Sequence, residues 1–516
     1  MTSRPTPRAV VVGAGLGGLS AAIRLLAQGY DVTVVERREK PGGRAYQIVD
    51  GGYTFDMGPS LITMPWLLEE LYAIAGTTTA EQLTVRPLDP FYRIHWDGEE
   101  RWFDYTGDRD RMVAEIRKFS TADAERYDEF MEASRRIYED AILVAGRKPF
   151  LGPLPFAALV PAMLRLDAIR PLRSFVGKFF AEEHVRQTFD FHSLFIGGDP
   201  WRVPAVYAAL GYLQVADGVW YADGGVYAVV ESLVRLIERG GGRLLTGNGV
   251  ERIETWGGRV SAVRLESGES IPADIVVSNA DVTTTRRRLL GTPDRLPWRL
   301  RPPRHTMSCF LLFLGTTRRY EKLHHHTLVV GKDYEGFVRD VTVRRRIPDD
   351  LSLYLHAPSR TEPAMAAPGG ESIYVLLPVP NLRSGTDWAV EGPRLRDRVV
   401  RYLEHDFGLE GLSSSIAVEH AFTPADFERE LWAAEGNAFA IEPTLTRSAY
   451  FRQPNRDRTV RGLYYVGAGT HPGGGIPGVL LTAQVTDGVI RRDAADGRIP
   501  LPGRTTSRPL AGEAGA

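Results

Sequence analysis

The sequence predicts an α/β fold: a Rossmann-like dinucleotide-binding domain assembled from separated segments, interleaved with a mixed-sheet domain and a helical layer. Three observations predict it. A strand, a glycine turn and a helix follow one another at each end of the chain; β-rich runs with glycine turns fill 241–281 and about 303–435; helical periodicity fills much of the stretch before them. With 516 residues the chain exceeds one ordinary hydrophobic core, so two or three domains around a large ligand site are expected.

The first unit reads RAVVVGAGLGGLSAAIRLLAQGYDVTVVERREKPGGRA from Arg8. Ala9 to Val12 form an apolar run suited to a buried parallel strand, and Gly13, Gly15 and Gly18, with Gly17 between them, supply the G-x-G-x-x-G spacing. Leu16, Leu19, Ala22, Ile23 and Leu26 then recur at helical spacing. Gly13 permits the tight turn, Gly15 lets the backbone approach a pyrophosphate, and Gly18 lets helix and strand pack closely. Unpaired N–H groups at the helix start face the anion. The second strand, Val32 to Val35, ends in Glu36, 23 residues after Gly13, where an acidic side chain meets a ribose hydroxyl pair and disfavours a 2′-phosphate. Beyond it, Gly42, Gly43 and Arg44 add a second glycine pair and a cation within reach of a diphosphate, which favours FAD over NAD.

The second unit is LYYVGAGTHPGGGIPGV, Leu463 to Val479. A buried strand, Leu463 to Val466, runs into a turn containing Gly467, Gly469, Gly473, Gly474 and Gly475; Val479, Thr482, Ala483, Thr486 and Val489 or Ile490 then mark a helix. One phosphate site is already supplied, so this helix N-terminus is expected at the other end of the same cofactor. There it stabilises the charge that a reduced flavin carries around N1 and O2. Pro477 suits the first turn, where its missing N–H is no loss. Gly467, Gly469, Gly475, Ile476 and Pro477 are therefore expected beside the ring.

These units resemble the bacterial and fungal phytoene-desaturase family of carotenoid enzymes. The resemblance extends over PGGRAYQIVDGGYTFDMGPSLIT, EEHVRQTFDFHSLFIGGDP, SNADV, HHHTLVVG, SLYLHAPS, EGPRLRDR and AFAIEPTLTRSAYFRQPNRD, covering about 8–493. It implies a fold of the amine-oxidase and glutathione-reductase-like superfamily, a non-covalent FAD, and backbone near Val250 at the adenine end. It also implies an acyclic carotenoid substrate, phytoene desaturated towards lycopene, with hydride transfer to flavin N5 followed by proton loss. A 3,4-desaturase, a diapophytoene desaturase, an isomerase and a ketolase are near alternatives within the family. A prenyl-lipid carrier of the same fold and an amine oxidase are the more distant ones.

The expected division is FAD domain 8–100, helical lid and membrane-contacting region 101–225, FAD domain 226–300, substrate domain 301–435, FAD domain 436–495 and a disordered tail 496–516. In the lid, Tyr127, Phe130, Met131, Ser134 and Ile137 share a helical face. In 146–178 a proline-broken apolar run too short to span a bilayer is flanked by Arg147, Lys148, Arg165, Arg170, Arg173 and Lys178 against Asp167 alone. It reads as an interfacial membrane contact or as surface helices packed on the core. A second cationic run, 286–304, carries seven arginines against Asp294.

The balance of 63 basic and 64 acidic residues gives no field for nucleic acid. Cys309 is the only cysteine, which excludes a disulfide framework and a Cys-rich metal site. With no signal-peptide h-region and no long apolar segment, a cytoplasmic, peripherally membrane-associated enzyme is expected. His324, His325 and His326 alternate faces if they lie on a strand, so no metal is assigned. No catalytic base is evident; His192, Asp199 and Glu442 are the polar groups to inspect. The family's Arg-Asp pair is replaced here by Leu154 and Pro155, which puts an acid/base role for that pair in doubt. Quinone, oxygen or another carrier could serve as electron acceptor, the sequence leaving this open, and no second nucleotide site for NAD is evident.

Overall fold

The computed structural model describes residues 6–292 and 303–502. Most of the cationic run 286–304 and of the terminal segment 496–516 therefore lies outside the described residues.

Five short strands form a parallel sheet in the spatial order Leu463–Tyr465, Ile275–Ser278, Arg8–Val12, Asp31–Val35, Arg243–Leu245. Val10 stands opposite Val276 on one side and Thr33 on the other. Parallel strands buried on both faces read as continuous apolar runs, which is why AVVV and VTVV carry no alternation. Ala9 and Val11 face one core, packed with the helix Leu16–Gln28, while Val10 and Val12 face a second core with Val250, Ile253 and Val263. The helix Leu16–Gln28 packs in turn against Val226–Arg239 and the terminal helix Gly475–Ala495. Segments at positions near 10, 240, 275 and 464 thus share one sheet.

A second sheet has seven strands in the order Ile416–Phe422, Ser308–Thr316, Glu371–Val379, Leu353–His356, His326–Val330, Tyr92–Trp96, Trp102–Tyr105. Its pairing is antiparallel except that His326–Val330 runs parallel to Tyr92–Trp96. The last two strands form a hairpin that straddles the domain boundary expected at residue 100 and joins this sheet. Every residue of Ser308–Thr316 is buried. Leu312 there pairs with Val375 and Ala421 on its two neighbours.

Helices cover the mouth between the sheets. In Tyr127–Ile137 the buried residues are Tyr127, Phe130, Ser134 and Ile137, with Met131 half-buried. The segment 146–178 folds into the short helices Pro153–Ala157, Val160–Arg165 and Leu172–Val176, each with a proline at its start, and a positive φ at Asp167 follows the second.

Leu312→Ala removes a fully buried side chain from an inner strand of the large sheet and is expected to cost about 2–5 kcal/mol. The same truncation at exposed Leu154 is expected to change stability by less than about 0.5 kcal/mol. Urea unfolding of the whole chain checks both.

Candidate functional site

The two glycine turns converge on one side chain. Asn279 follows the strand Ile275–Ser278, its backbone N–H held by the Val12 carbonyl at 2.8 Å. Its amide fills the space where other residues would carry a Cβ: such an atom on Gly15 would lie 2.8 Å from Nδ2, on Gly17 2.8 Å from Oδ1, and on Gly467 2.6 Å from Oδ1. Gly17 and Gly467 also touch directly, since a Cβ on Gly17 would stand 3.2 Å from the Gly467 Cα. Gly18 leaves no choice at all, its Cβ position being 2.1 Å from the Gly13 carbonyl oxygen.

The second glycine pair leans on the first turn. The Gly42 N–H donates to the Ala14 carbonyl at 2.8 Å, and a Cβ on Gly43 would lie 3.3 Å from the Gly15 Cα. Glu36 Oε2 accepts the Ala14 N–H at 2.7 Å and Oε1 accepts the Arg38 N–H at 3.0 Å. The Glu36 carboxylate therefore fixes the turn.

A cavity of about 500 Å³ starts at this junction and runs between the sheets. Gly13, Gly15, Gly17, Glu36, Gly43, Arg44, Val250, Gly467, Gly475, Ile476 and Pro477 all line it. Gly18 and Gly469 stand behind the wall, where a Cβ on Gly469 would meet Val282 Cγ2 at 2.7 Å. The far end is apolar, with Phe191, Leu210 and Leu213 from the helical layer facing Leu311, Leu353 and Leu376 from the large sheet. Its carboxylates, Glu36, Asp281 and Glu430, accompany the glycine turns and not the apolar end.

Two arginines, half-buried Arg44 and buried Arg452, line the cavity without a carboxylate bonded to them among the described residues. Arg44 donates from Nη2 to the carbonyl and Oδ1 of Asn437 at 3.3 and 3.2 Å; Arg452 donates from Nη2 to the carbonyls of Ile441 and Ala468 at 3.1 and 2.8 Å. The Nε of each has no partner, and burial lowers both pKa values. A cradle of bare glycine faces, helix starts and unpaired cations fits a dinucleotide phosphate ester. Asn279 and Arg452 escaped the sequence reading. The signal for Asn279 is its position at the carboxyl end of a strand adjoining the first, where open α/β sheets bind ligands. Arg452 lies in an irregular loop and leaves none.

None of the three candidate polar groups lines the cavity. His192 is buried with Nε2 2.6 Å from the Tyr92 hydroxyl, and burial lowers its pKa to about 3, so the ring is neutral. Asp199 accepts from the Thr342 hydroxyl at 3.2 Å, and Glu442 pairs with Arg304 at 2.8 Å and Arg202 at 3.5 Å; burial raises both carboxyls. Leu154 and Pro155 are exposed on the surface helix. Cys309 lines the cavity, but burial pushes its thiol up, away from the reactive thiolate.

The histidine run behaves differently from the simple alternation expected. His325 and His326 meet His356 of the neighbouring strand, the ring nitrogens lying within 4.8 Å of one another, and His324 is not part of the group. His325 Nε2 is 3.2 Å from His356 Nε2, His326 Nδ1 donates to the Phe91 carbonyl at 3.0 Å, and burial holds all three pKa values down. The strand His326–Val330 starts after His325, so adjacent residues reach the same neighbour.

The family described as flavin containing amine oxidoreductase matches residues 16–486. A lycopene-forming phytoene desaturase of Pantoea ananas is 41% identical over 487 residues, 94% of this chain and 99% of that protein. A lycopene-forming phytoene desaturase of a Paracoccus species is 42% identical over 491 residues, covering 94% and 98%. Among solved structures, an oxidoreductase from Methanosarcina mazei superposes with a TM-score of 0.62 at 16% identity, over 94% of this chain and 100% of that one, which shows the fold.

Gly18→Ala is expected to displace the turn and leave less than about a tenth of the bound flavin, because a Cβ contact of that closeness has no relaxed solution. Gly488→Ala, with nothing near its Cβ position, is expected to retain it. The visible absorbance of purified protein checks both.

Proposed function

The chain belongs to the flavin-containing amine oxidoreductase family, in its phytoene-desaturase branch, and from that premise we propose that it is an FAD-dependent desaturase converting phytoene towards lycopene. The observation that carries the reading is a single cavity with a phosphate cradle at one end and a hydrocarbon lining at the other.

Gly13, Gly15, Gly17 and the start of Leu16–Gln28 would hold the diphosphate together with Arg44, with Glu36 and Val250 at the adenosine end. Gly467, Gly475, Ile476 and Pro477 would face the ring, where bare glycines leave a flat surface for a polyene. When bound, the flavin supplies the acceptor for the hydrogens removed in each desaturation step. The unreactive Cys309 thiol supports non-covalent attachment.

The protein's own work is positioning and exclusion of water. Tyr334, Tyr354 and Tyr374 line the cavity, and burial raises each phenol far above neutral pH, so they stay protonated and offer no base. A hydrocarbon that has lost two electrons gives up its neighbouring proton to a weak acceptor, so no strong base is needed. The absence of His192, Asp199 and Glu442 from the wall supports this reading.

We also place the enzyme on a membrane surface. Among the described residues no helix is long and apolar enough to cross one. Leu154 and Leu164 are 81% and 58% exposed, with Val160 and Ile169 beside them on the same short helices and turn. The cations near them are mostly spoken for: Arg147 pairs with Glu70, Arg165 with Asp140, Arg170 and Lys178 with Asp167, and Arg173 turns inward to Asp190 and Glu183. Apolar insertion, not net charge, is thus the stronger term. A quinone dissolved in the same bilayer is the acceptor this placement favours, with oxygen second.

Protein loaded with FAD, added to phytoene-containing liposomes with a quinone, is expected to give coloured polyenes whose absorption bands count the new double bonds. A colourless extract from protein with reducible flavin would overturn phytoene as substrate. The double substitution Leu154→Glu and Leu164→Glu is expected to weaken liposome co-sedimentation at least tenfold, since each leucine contributes about 1.5–3 kcal/mol on burial; unchanged sedimentation would overturn the placement.

A further inference from the structure

Arg452 has no assigned task, and its setting demands one. It is 2% exposed, and among the described residues it is bonded to backbone carbonyls and to no carboxylate. The two carbonyls it binds carry only partial charges. A guanidinium stays protonated throughout the range in which proteins are folded, and an unpaired buried cation is costly unless an anion joins it.

Its position says which anion. A Cβ on Gly473 would lie 3.8 Å from Arg452 Cζ, so the guanidinium rests against the glycine turn that opens the helix Gly475–Ala495. The Ala468 carbonyl it holds belongs to the same turn. The diphosphate is already served by the first helix start and by Arg44. Two positive features, a helix N-terminus and a full charge, therefore converge at the second glycine turn, which lines the same cavity.

We propose that Arg452 supplies the fixed counter-charge that holds the reduced flavin ring as its anion. The reduction takes two electrons and one proton, the proton at N5, and leaves one negative charge on the pyrimidine side; the second proton goes to solvent. The oxidised ring is neutral, so the cation favours the reduced state selectively and raises the potential. The proposal rests on the flavin reading of the site.

The test is the midpoint potential of the flavin-loaded protein, equilibrated with a reference dye from pH 6 to 8. One proton per two electrons gives a slope of about 30 mV per pH unit, which is the expected result; about 59 mV, two protons, would overturn the proposal. Arg452→Gln keeps an amide donor for a carbonyl but not the charge. It is expected to weaken the preference for the reduced ring at least tenfold, lowering the potential by about 30 mV, while Arg452→Lys stays near wild type. Equal potentials in the glutamine variant and wild type would overturn the assignment and leave Arg452 a clamp between 441 and 468. So would an equal loss of affinity for oxidised and reduced flavin, the mark of a diphosphate contact. If the glutamine variant does not load, the wild-type slope and the lysine variant decide. Wild-type protein that binds no flavin in either state would instead sink the flavin reading itself.

Discussion

The architecture depends on the space around Asn279. Two turns from opposite ends of the sequence are pressed onto one amide, so close that Gly15, Gly17 and Gly467 have no room for a Cβ. That contact joins the first strand–turn–helix unit to the last and sets the separation of their helix starts. The parallel sheet aligns the strands, but register alone does not bring the loops beyond them together. The side-chain amide does, and Gly43 against Gly15 closes the third side. A cradle built from backbone in this way exposes N–H groups to a ligand without any side chain in between.

Charge is distributed to match. Where a buried arginine has a structural task it has an acid beside it: Arg173 with Asp190 at 2.7 Å and Arg286 with Asp457 at 2.9 Å. Such pairs offset their own desolvation and hold elements in place. Arg44 and Arg452 line the cavity with no carboxylate bonded to them among the described residues, and each keeps a free Nε. An unpaired buried donor is expensive in a protein that binds nothing and reasonable in one whose ligand brings the missing charge.

Much of this was legible in the sequence because it obeys local rules. The G-x-G-x-x-G spacing, the apolar parallel strands and the second glycine turn are patterns of consecutive residues, and the structure places Gly13, Gly15, Glu36, Val250 and Pro477 on one wall. What escaped are relations across the chain. Nothing near position 100 announces that Tyr92–Trp96 pairs with His326–Val330, more than two hundred residues on. His356 joins His325 and His326 only because a neighbouring strand brings it there. Arg452 looks like any loop arginine until burial strips it of solvent. His192, Asp199 and Glu442 are the polar groups to inspect in the sequence, and they bond to Tyr92, Thr342 and Arg304 in the packing beside the cavity.

On the proposed reading, one cavity must accommodate a dianionic diphosphate and a hydrocarbon chain, which have no solvent in common. The fold separates them along its length: helix starts, glycine backbone and Arg44 at one end, aliphatic and aromatic side chains of the large sheet and helical layer at the other. The flavin ring is then the boundary, and the protein needs charge there in only one redox state. A fixed cation with no acid of its own meets that need better than a salt-bridged one, because a resident carboxylate would already have neutralised it in the oxidised state. The missing carboxylate and the missing catalytic base have the same origin: near a hydrocarbon substrate every permanent anion would be a desolvated charge with nothing to bind, so the wall carries phenols that stay neutral and one arginine whose partner arrives with the electrons.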